Sequence, residues 1–244
     1  MIFKYSELRR FLRHIKQIYL ITSLDKWDGS NAIILRHDVD FNIESAYKLA
    51  LIEKEIGITS TFFIMTTAHT YNPMSIKNRK MLVEMVKLGF EIGLHFDSSV
   101  YGNINIDKMK NKVDEEASVL FSIINKKIVS ISLHNPSVNG KYLIFEGYNN
   151  AYDKKIFSPK IYLSDSIMKF RHNIYEFVKR VKTTHIQILL HPLHYTKNGG
   201  NYATIMSEFI NTFTKDIESI HAVNKTFNEQ VKEGILSHMF GGKK

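Results

Sequence analysis

Four consecutive apolar residues, Ala32-Ile33-Ile34-Leu35, run directly into Arg36-His37-Asp38-Val39-Asp40. A short run that is apolar on both faces reads as a strand covered on both sides, the signature of a parallel strand packed between other layers. Charged groups at the end of such a strand are costly to bury unless they are paired or bind a cation. Asp38 and Asp40 are two positions apart, so on extended chain they share a face, while His37 and Val39 face the other side. Two carboxylates that close repel, and one protonates unless a cation lies nearby. The pair therefore points to divalent-metal chemistry. A lone aspartate capping the next helix is the plainer alternative; it accounts for one carboxylate and leaves the other.

Strand and helix patterns alternate along the rest of the chain. The spacing predicts an amphipathic helix over residues 4–20, with Ser6 as candidate cap, before the strand at 32–37. A helix then runs from Asn42 to Gly57, a residue suited to ending it. Next come a strand over Ile58–Met65, a helix over Ser75–Leu88 and a strand over Phe90–Leu94. A helix over 106–125 and a strand over Ile128–Leu133 follow, then a segment to about Phe157 rich in Asn, Gly and Tyr. A short strand at Lys160–Leu163, a helix at 172–182, a strand at Ile186–Leu190 and a long helical pattern over 201–240 complete the chain. No linker or low-complexity stretch interrupts it, so residues 1–244 read as a single domain. This alternation implies parallel strands joined by crossover helices, as a barrel or as an open sheet. Asp38, Asp40, His95, His134, Asp165 and His191 all fall at carboxyl ends of expected strands, the edge where parallel α/β folds build their sites.

The chain has no cysteine, which excludes disulfides, thiolate metal sites and a cysteine nucleophile. Its 33 basic and 24 acidic residues give a net charge of +9. The lysines are spread through helical patterns without a basic run, so the charge reads as a solvated surface and no nucleic-acid partner is expected. Arg9, Arg10, Arg13 and Lys16 interrupt the apolar N-terminus, which has no signal-peptide core. No window reaches membrane-span length. A cytoplasmic location is the expectation.

With these motifs in hand, the chain resembles the polysaccharide deacetylase (NodB-homology) superfamily of carbohydrate esterases. RHDVD at 36–40 stands where members carry T-F-D-D-G, and STFF at 60–63 looks like their second strand. GFEIGLH at 89–95 is similar to G-H-E-I-G-x-H, and ILLHP at 188–192 to the late L-x-H motif. SLHNPS at 132–137 and YLSDS at 162–166 fit a divergent branch with R-H-D-V-D. The pieces keep the family's order over roughly residues 32–195. Two departures stand out: Val39 separates aspartates that are adjacent in typical members, and Ser99 stands where a second histidine is usual, four residues after His95.

The resemblance implies a distorted (β/α) barrel of about seven parallel strands and hydrolysis of an N-acyl group with one divalent ion. Zinc is the first choice, with manganese, cobalt and nickel as alternatives. Asp40, His95 and His134 would hold the ion, with Asp97 as the alternative to His134. Asp38 would act as catalytic base and His191 as the acid that protonates the leaving amine. Arg36, Asp165 and His194 would contact substrate, Arg36 and Asp165 alternatively orienting Asp38 and His191. The substrate would be an N-acylated sugar or sugar conjugate destined for surface polysaccharide, with oligomerisation left open. The alternative is a weakly active or inactive relative that binds sugar or supports a biosynthetic complex.

Overall fold

The computed structural model describes residues 3–140, 142–231 and 234. The chain divides into two compact units, Met1–Gly199 and Gly200–Lys244. The first contains the parallel sheet. Its strands are β1 (Ile21–Thr22), β2 (Ile33–Val39), β3 (Thr61–Ile64), β4 (Glu91–Phe96), β5 (Ser130–Leu133), β6 (Asn149–Asn150), β7 (Tyr162–Ser164) and β8 (Ile186–Leu190). Seven of them run in the order β6-β5-β4-β3-β2-β8-β7, every pairing parallel, with β1 joined to β2 off this path. The two end strands, β6 and β7, are not paired with each other. This is the distorted (β/α) barrel expected, left open along one seam.

β2 is the central member. β8 takes one side of it from Ile33 to His37, while β1 (at Ile33–Ile34) and β3 (from Arg36 to Val39) share the other. All seven residues of β2 are buried, as its run of apolar residues predicts. Alternation sends successive side chains to opposite faces. The outer face puts Ile33, Leu35, Phe62, Ile92, Leu94, Ile131 and Ile188 into the main core. The inner face carries a small apolar cluster of Ile34, Phe63, Leu24, Ala151 and Ile156, and above it the polar groups of the site.

Helices α1 (Tyr5–Lys16), α2 (Ile43–Ile56), α3 (Ile76–Lys87) and α4 (Ile106–Ile124) supply apolar stripes to that core. On α1 the stripe is Leu8, Phe11, Leu12 and Ile15 at helical spacing, each contributing about 1.5–3 kcal/mol on burial. Ser6 does not cap this helix, which starts at Tyr5 with Lys4 at the cap position and no side-chain bond there. Asn42, Ser75 and Asn105 cap the other three through their side chains. Gly57 ends α2 at φ +76°, where a Cβ would be strained. α5 (Pro136–Asn139) is a single turn after β5. The helix expected at 172–182 is α6 (Ile174–Val178) followed by a 3-10 turn, Lys179–Lys182. In the second unit the pattern at 201–240 is broken into α7 (Tyr202–His221) and α8 (Lys225–Gln230), because the Asn224 side chain starts a new helix by accepting from Phe227 N–H. The part of that pattern at 232–233 and 235–240 lies outside the described residues. No described helix is long and apolar enough to cross a membrane.

Candidate metal centre

Asp40 directly follows β2, His95 is the fifth residue of β4, and His134 directly follows β5. The parallel register brings the three together at one edge. His95 Nε2 lies 3.1 Å from Asp40 Oδ1, His134 Nδ1 lies 3.3 Å from the same oxygen, and the two ring nitrogens are 3.2 Å apart. A tetrahedral ion with bonds of about 2.0–2.1 Å spaces its ligand atoms about 3.3–3.4 Å apart. The triangle thus has edges close to those such an ion requires, and its two nitrogens and one carboxylate oxygen suit zinc. Ser132 O lies 3.2 Å from His95 Nδ1. That carbonyl accepts only from an N–H, so it keeps the ring hydrogen on Nδ1 and turns the Nε2 lone pair into the triangle. Burial works to raise the pKa of Asp40, but the hydrogen bond from His134 and the neighbouring imidazoles of His95 and His191 hold it far below the usual carboxylate range. For His134, burial opposes the charge, and Asp40 outweighs it and raises the pKa.

A second acid–imidazole group lies beside the first. Asp165 Oδ1 is 2.6 Å from His191 Nδ1, and the same carboxylate accepts the His191 backbone N–H at 3.0 and 3.2 Å. His194 Nδ1 is 3.4 Å from Asp165 Oδ2. A separation of 2.6 Å is a charge-assisted hydrogen bond and too short for two ligands of one ion, so this pair is built around a proton. Burial opposes the charge on His191, yet the Asp165 carboxylate lifts its pKa to about 9. Its Nε2 lies 3.8 Å from Asp40 Oδ2, which places that edge of the ring beside the triangle.

Asp38 sits deeper, 2% exposed. Its Oδ2 accepts from Arg36 Nη2 at 3.3 Å and Ser132 Oγ at 3.0 Å. Its Oδ1 is buried without a hydrogen-bonding partner among the described residues. Arg36 is wholly buried, with its guanidinium 4.7 Å from the Tyr152 ring centre and 3.4 Å from Gln187 Oε1.

Neither the protein-family models nor the curated proteins contain a match to this chain. Solved structures do resemble it in fold. One is a CE4 family pseudoenzyme from Bacillus anthracis, at 12% identity over 75% of this chain and 62% of that one, with a TM-score of 0.42. Another is a family 4 carbohydrate esterase from Bacillus anthracis, at 15% identity over 86% of both chains, TM-score 0.45. A third is the peptidoglycan deacetylase PdaC from Bacillus subtilis, at 15% identity over 81% of this chain and 98% of that one, TM-score 0.44. The chain spans less than two thirds of the pseudoenzyme's length, 62%. Likeness this distant is silent on activity, which has to be argued from the side chains.

Of the residues singled out in the sequence, Asp40, His95 and His134 form the triangle, and His191 and Asp165 stand against it. Arg36, expected either to contact substrate or to orient Asp38, is 0% exposed and lies against Asp38 and Tyr152. Asp165, also 0% exposed, is turned to His191, and His194 is 4% exposed beside it. Asp97, the alternative ligand, is engaged elsewhere: its Oδ1 accepts from Ser99 N–H at 2.9 Å and Ser99 Oγ at 2.6 Å, capping the 3-10 turn Ser98–Tyr101. Sequence reasoning passed over Ser132, and took Asn135 only as part of an Asn135-Pro136 turn to which His134 could hydrogen-bond instead of holding an ion. Strand alternation places Ser132 on the face of His134, and the Asn-Pro step after His134 marks a special backbone position.

Proposed function

We propose that the chain is a metal-dependent hydrolase that removes an N-acyl group, acetyl in the first instance, from a sugar or sugar precursor used for surface polysaccharide. The observation that carries this reading is the Asp40–His95–His134 triangle, with 3.1–3.3 Å edges, beside the His191 imidazole held by Asp165. Those three residues would hold the ion. When bound, a zinc ion supplies polarisation of an acyl carbonyl and activation of water near neutral pH. Asp38 takes a proton from the attacking water at Oδ1, because Arg36 and Ser132 keep Oδ2 occupied. As water oxygen bonds to the acyl carbon and the C–N bond breaks, His191 passes its Nε2 proton to the departing amine. Asp165 stays ionised throughout and fixes the ring through Nδ1. The products are a carboxylate and a free amine.

Acetate release from N-acetylglucosamine oligosaccharides, with zinc supplied, tests this assignment. Asp38→Asn and His191→Ala should each lose on the order of a hundredfold or more in turnover while zinc content stays near that of the parent. An Asp38→Asn protein that holds no zinc would make Asp38 a ligand and overturn its assignment as the base.

One observation favours a second reading. At 2% exposure and bonded through Oδ2 to Arg36 and Ser132, Asp38 suits a carboxylate that shapes the site better than one that meets water. On that reading the chain binds its sugar with little hydrolysis and serves a biosynthetic complex. Saturable binding of the same oligosaccharides by the zinc-loaded protein, without acetate release, would select it.

A further inference from the structure

His134 presents Nδ1 to the triangle, the reverse of His95, which presents Nε2. For His134 to offer a lone pair at Nδ1, its hydrogen has to be on Nε2, and a hydrogen there calls for an acceptor. The group next to Nε2 is the side-chain amide of Asn135, whose Nδ2 lies 2.8 Å away. In this arrangement the amide donates, Nε2 accepts, and the ring hydrogen sits on Nδ1 facing Asp40. Turned by 180°, the same amide presents its oxygen instead and accepts from Nε2–H.

The backbone is shaped for this contact. Asn135 occupies the left-handed region at φ 45° and ψ 43°, immediately before Pro136. Such a conformation is uncommon for a residue other than glycine and is retained where the surroundings require it. Asn135 is also at the N-cap of α5, yet its side chain makes no capping bond. It turns back to His134, forgoing the bond an asparagine there ordinarily forms.

We propose that Asn135 is a positioning residue for the metal centre: its amide selects which nitrogen of His134 carries the hydrogen, and reverses when an ion binds. This inference rests on the assignment of Asp40, His95 and His134 as the metal-binding triangle.

Zinc affinity, measured on the full chain by competition with a chromophoric chelator, tests it with three variants. Asn135→Gly suits the φ 45° backbone and removes only the amide, so it should fold like the parent and bind zinc about tenfold more weakly. Asn135→Asp keeps an acceptor and tolerates the same backbone, and should bind within about threefold of the parent. Asn135→Leu should be as weak as the glycine variant or weaker. Nitrogen-15 spectra of the His134 ring supply a second readout, in which zinc moves the hydrogen from Nδ1 to Nε2. Parent-like affinity in Asn135→Gly, or an Asn135→Asp protein as weak as Asn135→Gly, overturns the proposal while leaving the metal centre intact. A parent protein that binds no zinc instead removes the centre itself, and this proposal with it.

Discussion

At the amino end of β4, Glu91 accepts from Thr61 Oγ1 at 2.5 Å and from the Asp25 backbone N–H at 3.0 Å. Burial, and then the Asp25 carboxylate, push its pKa from 4.5 up to about 7. Because the folded value lies above the unfolded one, the folded protein keeps a proton that the unfolded chain has released, and stability falls as pH rises through that window. Glu91→Gln cannot ionise, so it should be more stable than the parent at pH 8, by up to about 3 kcal/mol. Near pH 4 the advantage should vanish. Urea unfolding at both values measures this, and an equal difference at the two would contradict it. Sequence reading did not find this group, because its partners come from segments 30 and 66 residues away. The same holds for Arg36: its spacing to Asp38 was visible in the strand, but the Tyr152 ring that covers it comes from beyond β6.

Among the elements, β2, β3, β4, β5 and β8 were legible because each is a run of apolar or β-branched residues bounded by glycine, proline or charge. β1 and β6 were not, at two residues each; so short a strand has no period and is made by its neighbours. Packing across the barrel interior is likewise invisible to periodicity. Gly93 on β4 illustrates it: a Cβ there would stand 2.5 Å from the Phe63 ring and 2.9 Å from Ser130 O. The missing side chain is what lets Phe63 lie across the interior beneath the site. Gly93→Ala should cost about 1–3 kcal/mol through overpacking. Placed in a Phe63→Leu background, its additional cost should fall by at least about 0.5 kcal/mol, since the two positions share the contact. Strict additivity of the two changes in thermal or urea unfolding would show that the clash lies elsewhere.

For the molecule as a whole, the order β6-β5-β4-β3-β2-β8-β7 explains why residues far apart in sequence meet. β2 brings Asp40 between the strand ends that carry His95 and His134 on one side and His191 on the other. The alternation of strand and helix made that edge legible as a meeting place before any geometry was known. Ring orientation, which decides between His134 and Asp97, was not, because it depends on the Asp97 cap and the Asn135 backbone rather than on spacing. Counting metal is the measurement that decides whether Asp40, His95 and His134 hold a divalent ion. After loading with zinc and dialysis, elemental analysis should find about one zinc per chain in the parent and in Asp97→Ala, and none in the Asp40→Ala, His95→Ala double variant. Full zinc content in that double variant would mean that the ion is held elsewhere.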